Sequence, residues 1–102
     1  MEQVFVLRNQ CLRIYMPKEL DHHNAAGIRE GADAYLLSGQ AKDVVFDFAN
    51  TGFMDSSGIG VIAGRYKKVS CFGGKVTAVH ANARIRKILL LSGLQDMIEI
   101  VD

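Results

Sequence analysis

The sequence has no tryptophan, one proline, two cysteines and no surplus of either charge. Each shortage closes a class of protein. A single proline, Pro17, leaves no material for a proline-rich linker or recognition segment. Cys11 and Cys71 lack C-x-x-C partners, which excludes a thioredoxin-type motif and a cysteine-built zinc site. Both stand among apolar residues and are expected to be buried thiols. His22 and His23 are adjacent and His80 is remote, so the histidines do not set two ligands on one helix face, and no metal site is expected. Twelve Lys and Arg balance eleven Asp and Glu, for a net charge of +1, which is no footprint for nucleic acid. Two small basic clusters, Arg65 with Lys67 and Lys68, and Arg84 with Arg86 and Lys87, read as solvated helix faces. No apolar run approaches the roughly 18 residues of a membrane span. The opening MEQVFVLRNQ lacks the apolar core of a secretion signal. Direct nucleic-acid or membrane contact is therefore not expected, and the expected location is cytoplasmic.

What is present is an ordinary globular composition, 49% apolar and 23% charged, over 102 residues, enough for one small domain spanning 1–102. Val4 to Arg8 and Leu12 to Met16 alternate weakly about a turn at Asn9-Gln10 and predict a hairpin that Pro17 ends. Asp21 is placed to cap a helix whose buried stripe is Ala25, Ile28, Ala32, Tyr35 and Leu36, with Ser38 and Gly39 at its end. Gly27 and Gly31 weaken that helix by up to ~1 kcal/mol each relative to alanine. VVFDF at 44–48 predicts a buried strand, and ANTGFMD at 49–55 a loop. Ile59, Ile62, Tyr66 and Val69 mark a second helix, closed by Gly73 and Gly74. KVTAVH at 75–80 predicts a strand. Asn82 caps a third helix built on Ile85, Ile88 and Leu89 and closed by Gly93. MIEIV at 97–101 predicts the last strand. The order β-β-α-β-α-β-α-β implies an α/β fold on a mainly parallel mixed sheet of about five strands. Sites in such sheets collect at the carboxyl ends of the strands. The loop carrying Asp55, Ser56 and Ser57 leaves VVFDF at that end.

The segment FMDSSGIGVIAGRYKK, 53–68, is the chemical centre of the sequence. Four readings compete for its Asp-Ser-Ser-Gly corner. A serine before a helix is a cap, worth ~1 kcal/mol. A nucleophile would need the G-x-S-x-G elbow of a serine hydrolase, but the glycine before the serine is missing. A nucleotide loop would need G-x-G-x-x-G or G-K-[ST]; GIGVIAG has neither. Its Gly60 and Gly64 lie i, i+4 on one helix face and are expected to permit close packing against the sheet or a partner. The fourth reading uses every part. A hydroxyl at a helix N-terminus can carry a phosphoryl group facing free N–H groups and the positive end of the dipole. That would leave the fold undisturbed while adding about −1.5 to −2 charges to any surface docked there. On these grounds Ser56 or Ser57 is a candidate binding switch.

ELDHH at 19–23, FMDSSGIGVIAGRYKK, GGKV at 73–76 and LSGL at 91–94 together resemble the anti-sigma factor antagonists of the STAS family, most of all those of the sporulation pathway. The likeness runs through nearly the whole chain in the same element order, and D-S-[ST]-G-x-G followed by G-R-Y-K is its most specific part. It implies a regulatory protein and not an enzyme. Its partner would be an anti-sigma factor that is also a serine kinase, and a metal-dependent serine phosphatase would reset the switch. The chain itself would need no cofactor, since ATP belongs to the kinase. The resemblance implies Ser56 as the phosphoacceptor, Asp55 as the group that orients it, and Ser57 as support for the cap. It places Asp21 as a second acidic residue at the same corner, both loops rising from one end of the sheet. Gly58, Ile59, Gly60 and Arg65 would belong to the docking helix. Two departures accompany it: Pro17-Lys18 stands where the family usually has glycine before E-L-D, and familiar members often continue into a final helix beyond the position of Asp102. A STAS regulator of a general stress sigma factor and a nucleotide-binding module are the alternatives. A monomer is expected when free.

Overall fold

In the computed structural model, which describes residues 4–101, the hairpin forms as expected from β1 (Phe5–Arg8) and β2 (Cys11–Tyr15). Asn9 and Gln10, with φ of 50° and 66°, make a two-residue turn whose backbone twist matches antiparallel strands. The chain continues through β3 (Glu19–Leu20), α1 (His22–Leu37), β4 (Asp43–Asp47), β5 (Phe53–Met54), α2 (Ser56–Cys71), β6 (Val76–Val79) and α3 (Ala83–Leu91). A 3-10 turn at Leu94–Asp96 then leads into β7 (Glu99–Val101), a shorter strand than MIEIV suggests. The main sheet runs β1-β2-β4-β6-β7 and is parallel everywhere except between β1 and β2.

Register explains where the core lies. Leu12, Val44 and Val76 stand abreast across three strands, as do Ile14, Phe46 and Ala78, and all are buried. Ile28, Ala32 and Leu36 of α1, Ile62 and Val69 of α2, and Ile85 and Leu89 of α3 join them in one cluster. Cys11, Arg13, Val45 and Thr77 point to the opposite face of the sheet and are only partly covered. That alternation corrects the expectation of two buried thiols. Cys11 is half-buried on the barer face, and Cys71 is exposed in the last turn of α2. Burial, with Asp43 nearby, raises the Cys11 thiol above its ordinary pKa.

Two short strands are not foreseen by the sequence pattern. β3 and β5 pair in parallel as a separate two-stranded sheet, Glu19 beside Phe53 and Leu20 beside Met54. Two residues are too few to show a period, so these strands read as loop. Backbone bonds tie the neighbouring segments together, Gly52 N donating to the Lys18 carbonyl at 2.9 Å and Asp55 N to that of Leu20 at 3.2 Å. The Thr51 hydroxyl donates to the Pro17 carbonyl at 2.8 Å, and the Asn82 amide donates to the Thr51 carbonyl at 3.1 Å while Asn82 caps α3. Among the described residues no helix is long and apolar enough to cross a membrane.

Candidate functional site

Because β3 and β5 are in register, the residues that follow them emerge together. Asp21 follows Leu20 and starts α1; Asp55 follows Met54 and starts α2. Both are N-caps in extended backbone, with φ and ψ of −114° and −175° at Asp21 and −109° and −171° at Asp55. The Asp21 carboxylate accepts from Asn24 N at 3.1 Å, and the Asp55 carboxylate from Ser57 N at 2.8 Å. The two acidic loops thus rise from one end of the structure, as the resemblance implies.

The caps overturn one expectation. Serine does not cap α2; Asp55 does, and Ser56 is the first helical residue. The reason is chemical: a carboxylate one position earlier already satisfies the free N–H, so the hydroxyls are released from that task. Ser56 is exposed and makes no side-chain hydrogen bond with another described residue. Ser57 is half-buried and contributes its backbone N–H to the cap, not its hydroxyl. A phosphoryl group on Ser56 would meet the positive end of a 16-residue helix.

The remaining expected residues divide. Asp21, Asp55, Ser57 and Ile59 are partly exposed and Gly60 is exposed, all within the first turns of the two helices. Gly58 and Arg65, expected in the docking helix, lie on α2 but are buried inside the fold. A Cβ on Gly58 would stand 2.6 Å from Met54 Cγ and 2.8 Å from Leu20 Cδ2, so this glycine is what lets α2 sit on the two-stranded sheet. Gly60 and Gly64, expected to make such an approach, have nothing within 4 Å of their Cβ positions.

Arg65 is 4% exposed, with Nε 3.0 Å from Asp33 Oδ1 of α1, close but not aligned as a hydrogen bond. Its buried Nη1 has no hydrogen-bond partner among the described residues. Lys68 takes the other Asp33 oxygen at 2.8 Å. The basic cluster read as a solvated face is therefore in part a link between α1 and α2. Burial lowers the Arg65 pKa, Asp33 opposes this, and Arg29 adds to the lowering. The sequence carries no signal that pairs Asp33 with Arg65, since the contact crosses two helices.

Elsewhere the buried Asp47 carboxylate accepts from Arg13 at 2.8 Å and from Ala49 N at 2.9 Å, fixing the exit of β4 toward the corner. Among the described residues no three His, Cys, Asp or Glu side chains are grouped as metal ligands.

The chain belongs to the STAS domain family, whose model matches residues 4–102. It is similar to an anti-sigma F factor antagonist of Paenibacillus polymyxa, 36% identical over 91 residues, which are 89% of this chain and 78% of the relative. It is also similar to the solved structure of the anti-sigma factor antagonist SpoIIAA in its unphosphorylated form. The TM-score there is 0.83 at 25% identity, over 98% of this chain and 86% of that one. The phosphorylated form of SpoIIAA, the Bacillus cell fate determinant, matches with a TM-score of 0.77 at 27% identity, over 96% of this chain and 91% of that one.

Proposed function

We propose that this protein is an anti-sigma factor antagonist that works by partner switching. Its unphosphorylated form binds an anti-sigma factor that is also a serine kinase, and a sigma factor is released. Transfer of a phosphoryl group to Ser56 ends the binding, and a metal-dependent serine phosphatase restores it. The chain has no catalytic role; ATP is consumed by the kinase.

The observation that carries this reading is the division of labour between Asp55 and Ser56. The carboxylate caps the helix, so the hydroxyl beside it is exposed and uncommitted. The likeness to a relative whose structure is known with and without phosphate supports it. Phosphorylation adds about −1.5 to −2 charges. Burying them at an interface without a cationic partner would cost several kcal/mol, and each ~1.4 kcal/mol is tenfold in affinity.

The test is intact mass after incubation with the anti-sigma kinase of the same organism and ATP. One added phosphoryl group, absent in Ser56→Ala, is the expected result. A gain that survives in Ser56→Ala moves the acceptor, with Ser57 the next candidate. No gain from an active kinase refutes the switch.

A further inference from the structure

Beside the first turn of α2 a groove of about 380 Å³ runs between α1 and α2. Its apolar walls are Ala25 and Ala26 on one side and Gly60 and Val61 on the other, and His22, Arg29 and Ser57 contribute its polar groups. None of the lining residues is acidic. Gly60 faces open space, since a Cβ there would touch nothing within 4 Å. The groove is thus unfilled by the fold's own side chains.

Its charge is equally uncommitted. Arg29 forms no ion pair with another described residue. Asp33, one turn further along α1, is already held by Arg65 and Lys68. The seam between the helices therefore carries three cations, Arg29, Arg65 and Lys68, against the one carboxylate of Asp33. Arg29 and Arg65 are close enough for Arg29 to lower the Arg65 pKa. Asp21 and Asp55 stand at the helix starts, but their carboxylates are engaged by backbone N–H groups. Glu30, beside Arg29 in sequence, does not line the groove. A carboxylate entering from outside would relieve the excess, and the groove admits a side chain.

We propose that this groove receives an acidic side chain of the partner protein, bound by Arg29 over Gly60. This deepens the proposed function and rests on it, because the partner is the anti-sigma kinase. It also gives the switch a physical form. Ser57 lines the groove and Ser56 precedes it in the first turn of α2, so a phosphoryl group on Ser56 adds negative charge near the groove's mouth and repels the incoming carboxylate.

The experiment is calorimetric binding of the unphosphorylated chain to the same organism's anti-sigma kinase, loaded with ADP or with a non-hydrolysable ATP analogue, at two ionic strengths. Circular dichroism confirms that each variant is folded. Arg29→Ala is expected to weaken binding roughly tenfold or more and to flatten its salt dependence. Arg29→Lys should stay within about threefold, because the charge is kept. Gly60→Val, which puts a side chain into the groove, should weaken binding by at least roughly tenfold. If the wild type binds and Arg29→Ala matches it within about twofold, the groove assignment is overturned and the proposed function stands. If Arg29→Ala loses affinity only for the kinase loaded with the ATP analogue, the occupant is a nucleotide phosphate and the acidic side chain is wrong. If the wild type does not bind an active kinase, both readings fall.

Discussion

The starts of α1 and α2 are two versions of one construction. Each follows a two-residue strand of the same small sheet, each begins with an aspartate cap, and the cap dihedrals differ by only a few degrees. The difference lies in the three residues that follow. α1 continues His22-His23-Asn24, and all three are exposed. α2 continues Ser56-Ser57-Gly58, which sinks progressively from an exposed hydroxyl to a buried glycine. One construction is only a helix start; the other offers a small nucleophilic hydroxyl on a rigidly seated turn. The contrast shows that a cap and a modification site are separable: both helices start on an aspartate cap, but only α2 follows it with an exposed serine and a buried glycine. The widest perturbation of this comparison is to cut the link that holds the two helices together. Asp33→Ala leaves the buried Arg65 guanidinium without its carboxylate, and the expected loss is about 3 kcal/mol in denaturant unfolding. A loss below about 1 kcal/mol would mean that Arg65 turns out to solvent and the seam is not held by charge.

Next in size is the third helical position. Gly58→Ala forces a methyl group against Leu20 and Met54, at an expected cost of about 1–3 kcal/mol. Asn24→Ala at the matching position of α1 removes one exposed bond to the Glu19 carbonyl, made at 2.6 Å, and should cost less than about 1 kcal/mol. Thermal unfolding of the pair measures the asymmetry directly. Equal losses would show that the Leu20–Met54 contact relaxes freely and that Gly58 is not what seats α2.

Much of this frame is legible in the sequence. Asp21 and Asn82 are readable as caps because each precedes a clear helical period, and the order of helices and main strands follows from the same patterns. The two-stranded sheet is hidden because Glu19–Leu20 and Phe53–Met54 are too short to alternate, yet it is what brings the two acidic loops side by side. The cap of α2 is misread because Asp55, Ser56 and Ser57 are all good capping residues, and only the backbone decides which one stands outside the helix. Arg65 reads as surface because its partner, Asp33, belongs to another helix, and a contact across helices leaves no spacing in the chain. Gly60 and Gly64 have the spacing of a packing motif, but the tight approach falls on Gly58, at the point where the helix meets the small sheet.

The caps themselves should be equal in stability and unequal in function. Asp21→Ala and Asp55→Ala are each expected to cost about 1 kcal/mol, with asparagine at either position retaining most of it. Phosphorylation by the kinase should fall far more in Asp55→Ala, whose carboxylate adjoins the acceptor in the chain, than in Asp21→Ala. Matched unfolding curves and phosphorylation time courses of both variants test this. If the two variants slow the reaction equally, the corner is recognised as one surface and the neighbouring cap has no privileged part.

The smallest effect is the most informative about how the switch avoids disturbing the fold. Ser56→Ala removes a hydroxyl that bonds to no other described side chain or backbone group, from a position whose cap is supplied by Asp55. Alanine is also the better residue inside a helix by a few tenths of a kcal/mol. The expected change in stability is therefore within about 0.5 kcal/mol, the range of an unremarkable surface substitution. His22→Ala, the same position of α1, should behave alike. Phosphoryl transfer to the two variants should nonetheless diverge, lost in Ser56→Ala and at most slowed in His22→Ala, whose side chain lines the proposed docking groove. A loss of 1 kcal/mol or more in Ser56→Ala would show that the hydroxyl shares the capping load. Phosphorylation would then have to break a stabilising contact, and the group would no longer add charge to an otherwise unchanged corner.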